Sequence, residues 1–596
     1  MMNRKNKVFL FTALCLMLGI AVYLGWQKAE SQSKVLPDFN SLSKPLSDLQ
    51  PGEGEALVAW VVSRLEGEPN QPPFPEGLKK DEEARVCFIT LADGKGGRKV
   101  AVGSGWGLHG ALTQAAGALS KDPLSKNTRW IKLDIVKGAQ ALKDLDFGKP
   151  LAVDPSLFGI AVDGKLEKTF LPEELSLVAL ESGRGISLDL SNRLLSETRL
   201  GQKNQAIVKN AREYVVFNTL SHFGDGKSAW PLFRGNREWK AYSETDIGLA
   251  LDKAGKYLAR AVKEDGRFVY EYKPLQGREV PDYNVLRHAG TVFAMMELYG
   301  EHKDPEVRKA AERAIGYLLR QVRGGTVAGK PVKFVVEQGE VKLGGNGLSA
   351  LALAEYARVT NDRRYDEVMK GLGEWILATQ DANGRFKVHK QSFPLGRVSS
   401  FQSEYYPGEA IFALMRIYNL TGEKKWLDAA DAGARYQLKV FSLLDDKKLP
   451  HDHWLLYGLN EIHRKRPRPE FLEGAMRFAR VIIQGQHTRE NQPQPDWDGG
   501  YYKPPRSAPT ATRMEGLNSA YALAKDFGRD ADAKQIKRAI QRGTGFLLRM
   551  QVGPEIAMYC QDPEASLGGF RESLARTSIR IDYVQHSISA LLGRPK

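Results

Sequence analysis

Cysteine is nearly missing from this chain, which carries three in 596 residues. No two of them form a Cys-x-x-Cys pair, so a disulfide framework and a zinc site of that kind are excluded. Glycine (58) and proline (29) are not in excess, and 26% of residues are charged. A disordered chain, a collagen-like chain and a polytopic membrane protein are therefore ruled out. The excess of positive charge is modest: 86 Lys and Arg stand against 71 Asp and Glu, a formal net charge of +15. That charge fits an anionic partner, although the basic residues are dispersed rather than clustered; no nucleic-acid partner is expected. At roughly 100–200 residues per domain, the length predicts two to four domains.

Long apolar runs are also scarce. The one that stands out is VFLFTALCLMLGIAVYLGW, residues 8–26, behind Arg4, Lys5 and Lys7. At ~1.5 Å per residue it reaches about 28 Å, close to the ~30 Å hydrocarbon core of a bilayer. The expectation is a membrane anchor or signal sequence over 1–27, with the basic end cytoplasmic. The bulk is then expected to be extracytoplasmic, periplasmic or extracellular. A cleaved signal peptide, and hence a secreted protein, is the competing reading. Residues 28–54 are polar with Ser and Pro, as a linker would be.

Residues 55–235 mix helix and strand signals. EALVAWVVSRLEG reads as a helix, RVCFITLADGKGGRKVAVGSG as two strands about a glycine turn, and ALTQAAGALSK as a helix. WIKLDIV and LFGIAVDG read as strands, giving an α+β domain. After about residue 240 the strand signal nearly disappears and a repeat takes over. Six helical hairpins follow one another through 240–596. The first helix of each is amphipathic, as in DPEVRKAAERAIGYLLRQV from Asp304. The second is apolar nearly all round, as in GNGLSALALAEYARVT from Gly345, and so belongs inside. Links from inner to outer helices are short. Those from outer to inner helices are long and carry Gly-aromatic elements: DGRFVY (265–270), NGRFKV (383–388), DGGYY (498–502) and GGF (568–570).

Six outer helices around six inner ones, with long loops at one rim, resemble the six-hairpin (α/α)6 toroid superfamily. Glycoside hydrolases, polysaccharide lyases and sugar epimerases use that fold. Terpenoid cyclases use a related toroid, although no DDxxD or DxDD run is found here. The resemblance covers about 60% of the chain and implies a multidomain protein, an α+β domain followed by an all-α toroid. It also implies an active-site funnel where the inner helices begin, and needs no cofactor.

That rim is rich in polar and aromatic residues at matching places in separate repeats. Hairpin one supplies Tyr283, Arg287 and His288; hairpin two, Asn346; hairpin three, Glu404, Tyr405, Tyr406 and Glu409. Hairpin four supplies His451, Asp452, His453 and Trp454; hairpin five, Arg513 and Glu515; hairpin six, Arg580, Asp582 and His586. An acid at a helix start is most often a cap or a dipole partner, the plain alternative for Asp452, Asp582, Glu515 and Glu404. His288 serves equally as a satisfied core histidine, and Tyr405, Tyr406 and Trp454 as packing.

In such a funnel the acid/base candidates are Asp452, Glu515, Glu404, Asp582 and His288. Substrate contacts are expected from Tyr283, Arg287, Asn346, Tyr405, Tyr406, Glu409, His453, Trp454, Arg513 and His586. Paired carboxylates suit glycoside hydrolysis. A Tyr or His with Arg and Asn suits lyase or epimerase chemistry on a uronic acid. The expected function is thus a carbohydrate-active protein, hydrolase, lyase or epimerase, on an anionic glycan. A non-catalytic glycan-binding or envelope-assembly scaffold and a terpenoid-cyclase-like toroid are the alternatives.

Three further signals read as structural. Gly105, Gly107 and Gly110 match GxGxxG with Asp134 downstream, yet no run of βαβ units follows. Cys560, Asp562 and His586 lack the spacing of a prenyltransferase zinc site. HRKRPRP (463–469) reads as a solvated connection.

Overall fold

The computed structural model describes residues 36–68, 70–142, 157–174, 213–239, 241–492, 494–574 and 576–596. Its N-terminal region is a mixed α/β layer. Strands β1 (Ala84–Ala92), β2 (Arg98–Trp106), β3 (Trp130–Leu142), β4 (Gly159–Val162), β5 (Thr169–Phe170) and β6 (Tyr214–Gly224) run in the order β2-β1-β3-β6-β4-β5. Every pairing is antiparallel. Strands β7 (Ala229–Phe233) and β8 (Asn236–Arg237) extend from β6. Helices α1 (Glu53–Glu66) and α2 (Leu108–Leu119) cover one face, burying Leu57, Val61, Leu108 and Leu112 against Cys87, Ile89 and Ile135.

The GxGxxG element finds its explanation here. A Cβ on Gly103 or Gly105 would lie 2.2 Å and 2.6 Å from the backbone of Ala111 in α2. The glycines let the helix lie directly on the strand. Strand β2 pairs antiparallel with β1, so no parallel crossover and no dinucleotide crevice is built.

The helical bulk begins at α3 (Glu244–Ala261). It continues through α4 (Val285–His302), α5 (Pro305–Arg320), α6 (Leu343–Thr360), α7 (Asp366–Thr379), α8 (Tyr406–Thr421) and α9 (Lys424–Ser442). Then come α10 (His453–Lys465), α11 (Pro469–Gln484), α12 (Ser507–Asp526), α13 (Asp530–Met550) and α14 (Ile581–Leu592). The even-numbered helices form a closed ring, each packed on its two neighbours, with α14 returning to α4. The odd-numbered helices pack outside it. Helix α6 is buried from Leu343 through Ala357, whereas α11 buries only one stripe, including Phe471, Ala475, Phe478 and Ile482. Burying each large side chain of that stripe is worth about 1.5–3 kcal/mol.

The Gly-aromatic elements are the staples of the ring. Gly266, Gly384, Gly499 and Gly568 all have φ between +82° and +88°. A Cβ there would meet the carbonyl oxygens of Arg313, Ala432, Arg542 and Lys253 on the next outer helix at 2.1–2.3 Å. Each glycine turn thus presses on the neighbouring hairpin and drops its aromatic (Phe268, Phe386, Tyr501, Phe570) into the core. Gln380, Gln486 and Gln551 each donate to the carbonyl of one such glycine and to a carbonyl on the adjacent outer helix. Short strands also line the loops, notably the hairpin Val322–Val327 with Lys330–Val335, which the weak strand signal after residue 240 did not announce.

The layers share a seam. Ala92, Trp130, Phe223, Trp230 and Leu232 of the sheet join the toroid's hydrophobic core. Beside it Lys132 is fully buried between Asp134 at 2.6 Å and Glu173 at 2.9 Å, and Ser221 donates to Asp134 at 2.6 Å.

The expectation of a membrane-anchored protein with a periplasmic bulk is corrected. Among the described residues no helix is long and apolar enough to cross a membrane. Even α6 carries Glu355 and Arg358 within its length. Segment 8–26, on which the expectation rested, lies outside the described residues.

Candidate active site

The inner helices begin at one mouth of the ring. There α10, α12 and α14 bring His453, Glu515 and His586 together, with ligand-capable atoms within 4.8 Å of one another. His586 donates from Nδ1 to Glu515 Oε1 at 2.8 Å, and the Tyr457 hydroxyl donates to Glu515 Oε2 at 3.2 Å. The carboxylate is fully buried and thereby spent on orienting the imidazole. Burial raises its pKa, and His586 opposes the shift.

His453 stands apart from every other histidine. It is buried, and neither ring nitrogen has a hydrogen-bond partner among the described residues. Its ring meets His586 edge-to-face at 5.2 Å and lies 4.5 Å from the Trp454 ring. Burial, then the nearby His586 and Arg513, hold its pKa well below the ordinary value, so the imidazole is neutral. A neutral imidazole with two free nitrogens can take or relay a proton. His453, Glu515 and His586 are also the residues that could hold a metal ion, two imidazoles and a carboxylate being a known donor set.

The remaining expected residues are placed as follows. His288 sits behind Phe268 and Tyr317; its Nδ1 accepts from the Tyr283 hydroxyl at 2.7 Å and its Nε2 donates to Ala314 O at 2.9 Å. Both nitrogens are engaged in the core, and burial pushes its pKa down to about 4. Asp582 is clamped by Arg580 at 2.6 Å and Arg287 at 3.1 Å, and Arg287 also reaches the Tyr270 hydroxyl at 2.6 Å. Asn346 bonds Val335 N at 2.9 Å and Lys342 O at 2.7 Å, tying the loop hairpin to α6. Trp454 is buried among Phe293, Phe412 and His453.

Three residues mark the lip. Glu404 and Tyr405 are exposed and Tyr406 is half-buried, its ring tilted against Phe401 at 5.8 Å. Asp452 caps α10, accepting from Leu455 N at 3.1 Å, and burial lifts its pKa to about 8. Glu409 is buried in the notch left by Gly344, where a Cβ would lie 2.0 Å from its Oε2. Burial, then Asp452, raises its pKa well above the usual value. Arg513 donates to Pro509 O at 2.9 Å and to His451 Nδ1 at 2.6 Å, and its guanidinium lies over Tyr501 and Tyr502 at 4.9 and 5.2 Å.

Sequence reasoning missed the polar column beneath the histidines. Glu297, half-buried, accepts from Ser589 at 2.6 Å, and burial with Glu355 raises its pKa to about 8. Below it Arg416 pairs with Glu355 at 3.3 Å and Glu461 at 2.8 Å. A lone charge inside an otherwise apolar inner helix was the available signal. The Cys560, Asp562 and His586 set is not assembled: Cys560 bonds Ile556 O, Asp562 caps a short turn, and His586 turns to Glu515.

The fold and this mouth define the class: a six-hairpin α/α toroid with a histidine–carboxylate centre built from three inner helices. Among solved structures, the chain is similar to the GH76A α-1,6-mannanase from Salegentibacter sp. HEL1_6, at 12% identity and TM-score 0.41, covering 58% of this chain and 98% of that one. It is similar to cellobiose 2-epimerase from Bacillus thermoamylovorans B4167, at 12% identity and TM-score 0.46, covering 58% and 98%. It is also similar to a D-mannose isomerase, at 15% identity and TM-score 0.44, covering 60% and 99%. No protein-family model matches the sequence, and no curated protein matches it.

Proposed function

We propose that this chain is a carbohydrate-active enzyme whose mouth shifts a proton between neighbouring sugar carbons, as an aldose–ketose isomerase does. The observation that carries this reading is His453, a buried neutral imidazole with neither nitrogen bonded among the described residues, set against a second imidazole held by Glu515. A buried donor or acceptor without a partner costs about 1–3 kcal/mol, a cost that a sugar hydroxyl or a reacting carbon acid would offset.

Hydrolysis is less well supplied. It needs two carboxyl groups flanking the glycosidic bond. Asp582 is ion-paired, Glu404 lies on the outer lip, Glu515 is bound to His586 and Tyr457, and Asp452 caps a helix. The two imidazoles touch edge-to-face at 5.2 Å, leaving no space for a sugar ring between them. They would therefore work from one side of the substrate. That geometry suits isomerisation through a cis-enediol, where the proton leaves C2 and returns to C1 on the same face. His453 takes the proton, and the electron pair moves into the enediol. His586 protonates and deprotonates the neighbouring oxygen, with Glu515 balancing its charge. No oxidant is needed.

The α/β region and the toroid are taken as separate domains, 55–235 and 240–596, of which the second carries the chemistry. The test is exchange of sugar C–H for deuterium, followed by NMR in deuterated water with D-mannose, D-glucose and their uronates. Wild type should exchange, and His453→Gln and His586→Gln should lose about 100-fold or more. Binding with no exchange in the wild type would favour a glycan-binding scaffold. The close His453–Glu515–His586 grouping favours one second reading, metal-assisted chemistry. Exchange that chelation abolishes and a divalent ion restores would select it.

A further inference from the structure

Arg513 is the charged residue at the mouth that the chain itself leaves unanswered. It is nearly buried, at 7% relative exposure. Among the described residues no carboxylate lies within ion-pair distance of its guanidinium. Its partners are neutral: a backbone carbonyl, His451 Nδ1 and two tyrosine rings. Its Nε has no hydrogen-bond partner among the described residues. Arg234, by contrast, is paired with Asp496 at 2.9 Å, and Arg580 with Asp582 at 2.6 Å. Burying a cation without a counter-charge is costly, and the cost is recovered when an anion arrives.

The surroundings favour an anion. His451 accepts from Arg513 through Nδ1, so its own proton sits on Nε2 as a further donor. The planar fork of a guanidinium matches a carboxylate, and Tyr405 and Tyr502, both exposed, offer ring faces beside it.

We infer that the sugar taken by this mouth carries a carboxylate, a uronic acid unit, which Arg513 and His451 bind while the sugar carbons reach His453. This rests on the sugar-isomerising reading for the placement of the ring, but the charge preference stands on Arg513 alone. The substrate class would then be uronates rather than neutral hexoses.

The test is calorimetric binding of D-glucuronate and D-mannuronate against D-glucose and D-mannose, with D-glucose 6-sulfate as a third arm, on the full chain. Uronates should bind about tenfold or more tightly than their neutral counterparts, as one charge-assisted contact provides. Arg513→Gln should erase that preference, so that uronates bind no more tightly than their neutral counterparts. Arg513→Lys should restore part of it, and circular dichroism with melting curves would show that both variants fold. Equal binding of neutral sugars and uronates, or a preference that survives Arg513→Gln, overturns the inference. Tighter binding of the sulfate than of the uronates overturns the carboxylate. A uronate preference without proton exchange would sink the isomerase reading and leave the inference intact; exchange on neutral sugars alone would do the reverse.

Discussion

Replacing His453 by phenylalanine should make this protein more stable and inactive at once. The ring keeps its shape, so the contacts with Trp454, Tyr457 and His586 remain. What disappears is one donor and one acceptor that are buried without partners among the described residues. Removing such groups recovers about 1–3 kcal/mol. The added ring carbon opposes this by about 1 kcal/mol of crowding. The net expectation is a gain of about 1 kcal/mol, seen as a melting shift of roughly 1 °C in a chain this large. The same substitution at His288 should have the opposite sign. There both nitrogens are bonded, and phenylalanine would leave the Tyr283 hydroxyl proton without its acceptor and take a donor from Ala314 O, costing about 1–3 kcal/mol. Urea unfolding and thermal melts of both variants, with deuterium exchange alongside, provide the measurement. Loss of stability at His453 as large as that at His288 would refute the reasoning, because His453 would then be a structural histidine.

Two other perturbations probe the buried charges. Burial raises the Asp452 pKa to about 8, so the group stabilises the fold below the unfolded pKa of ~4, and that contribution is lost as pH rises to 8. Asp452→Asn keeps a good cap and does not titrate, so its melting temperature relative to wild type should climb between pH 5 and 8 and then level off; a flat difference would show that the carboxyl is not desolvated. Lys132→Met would leave Asp134 and Glu173 facing each other in the seam without their cation. Urea unfolding should show a loss of about 3–5 kcal/mol, and a neutral result would mean that water reaches the seam.

The repeat was legible because it is written in periodicity. Residues 345–360 are apolar nearly all round, and only the inside of a ring can bury such a helix, whereas 468–485 show one apolar stripe. The rim was legible as a zone for the same reason: helix starts can be located, and His453, Glu515 and His586 all fall within it. Their roles were not. Asp582 and Asp452 look alike in sequence, each an acid at a helix start. In space the first is clamped by two arginines and the second is sealed from water at the head of α10. His288 and His453 both open apolar helices, yet one is bonded at both nitrogens and the other at neither.

Local pattern alone determined the six hairpins, the glycine turns that join them and the mixed strand-and-helix region before them, because helix and strand burial impose their periods on neighbouring residues. The partnership of residues 62 to 71 positions apart was decided only by closure of the ring. It set Arg513 beside His451, and Glu515 beside His586, through contacts between helices from different repeats. Whether a buried polar group is satisfied depends on which helix stands opposite, and that information lies in the packing rather than in any stretch of the chain.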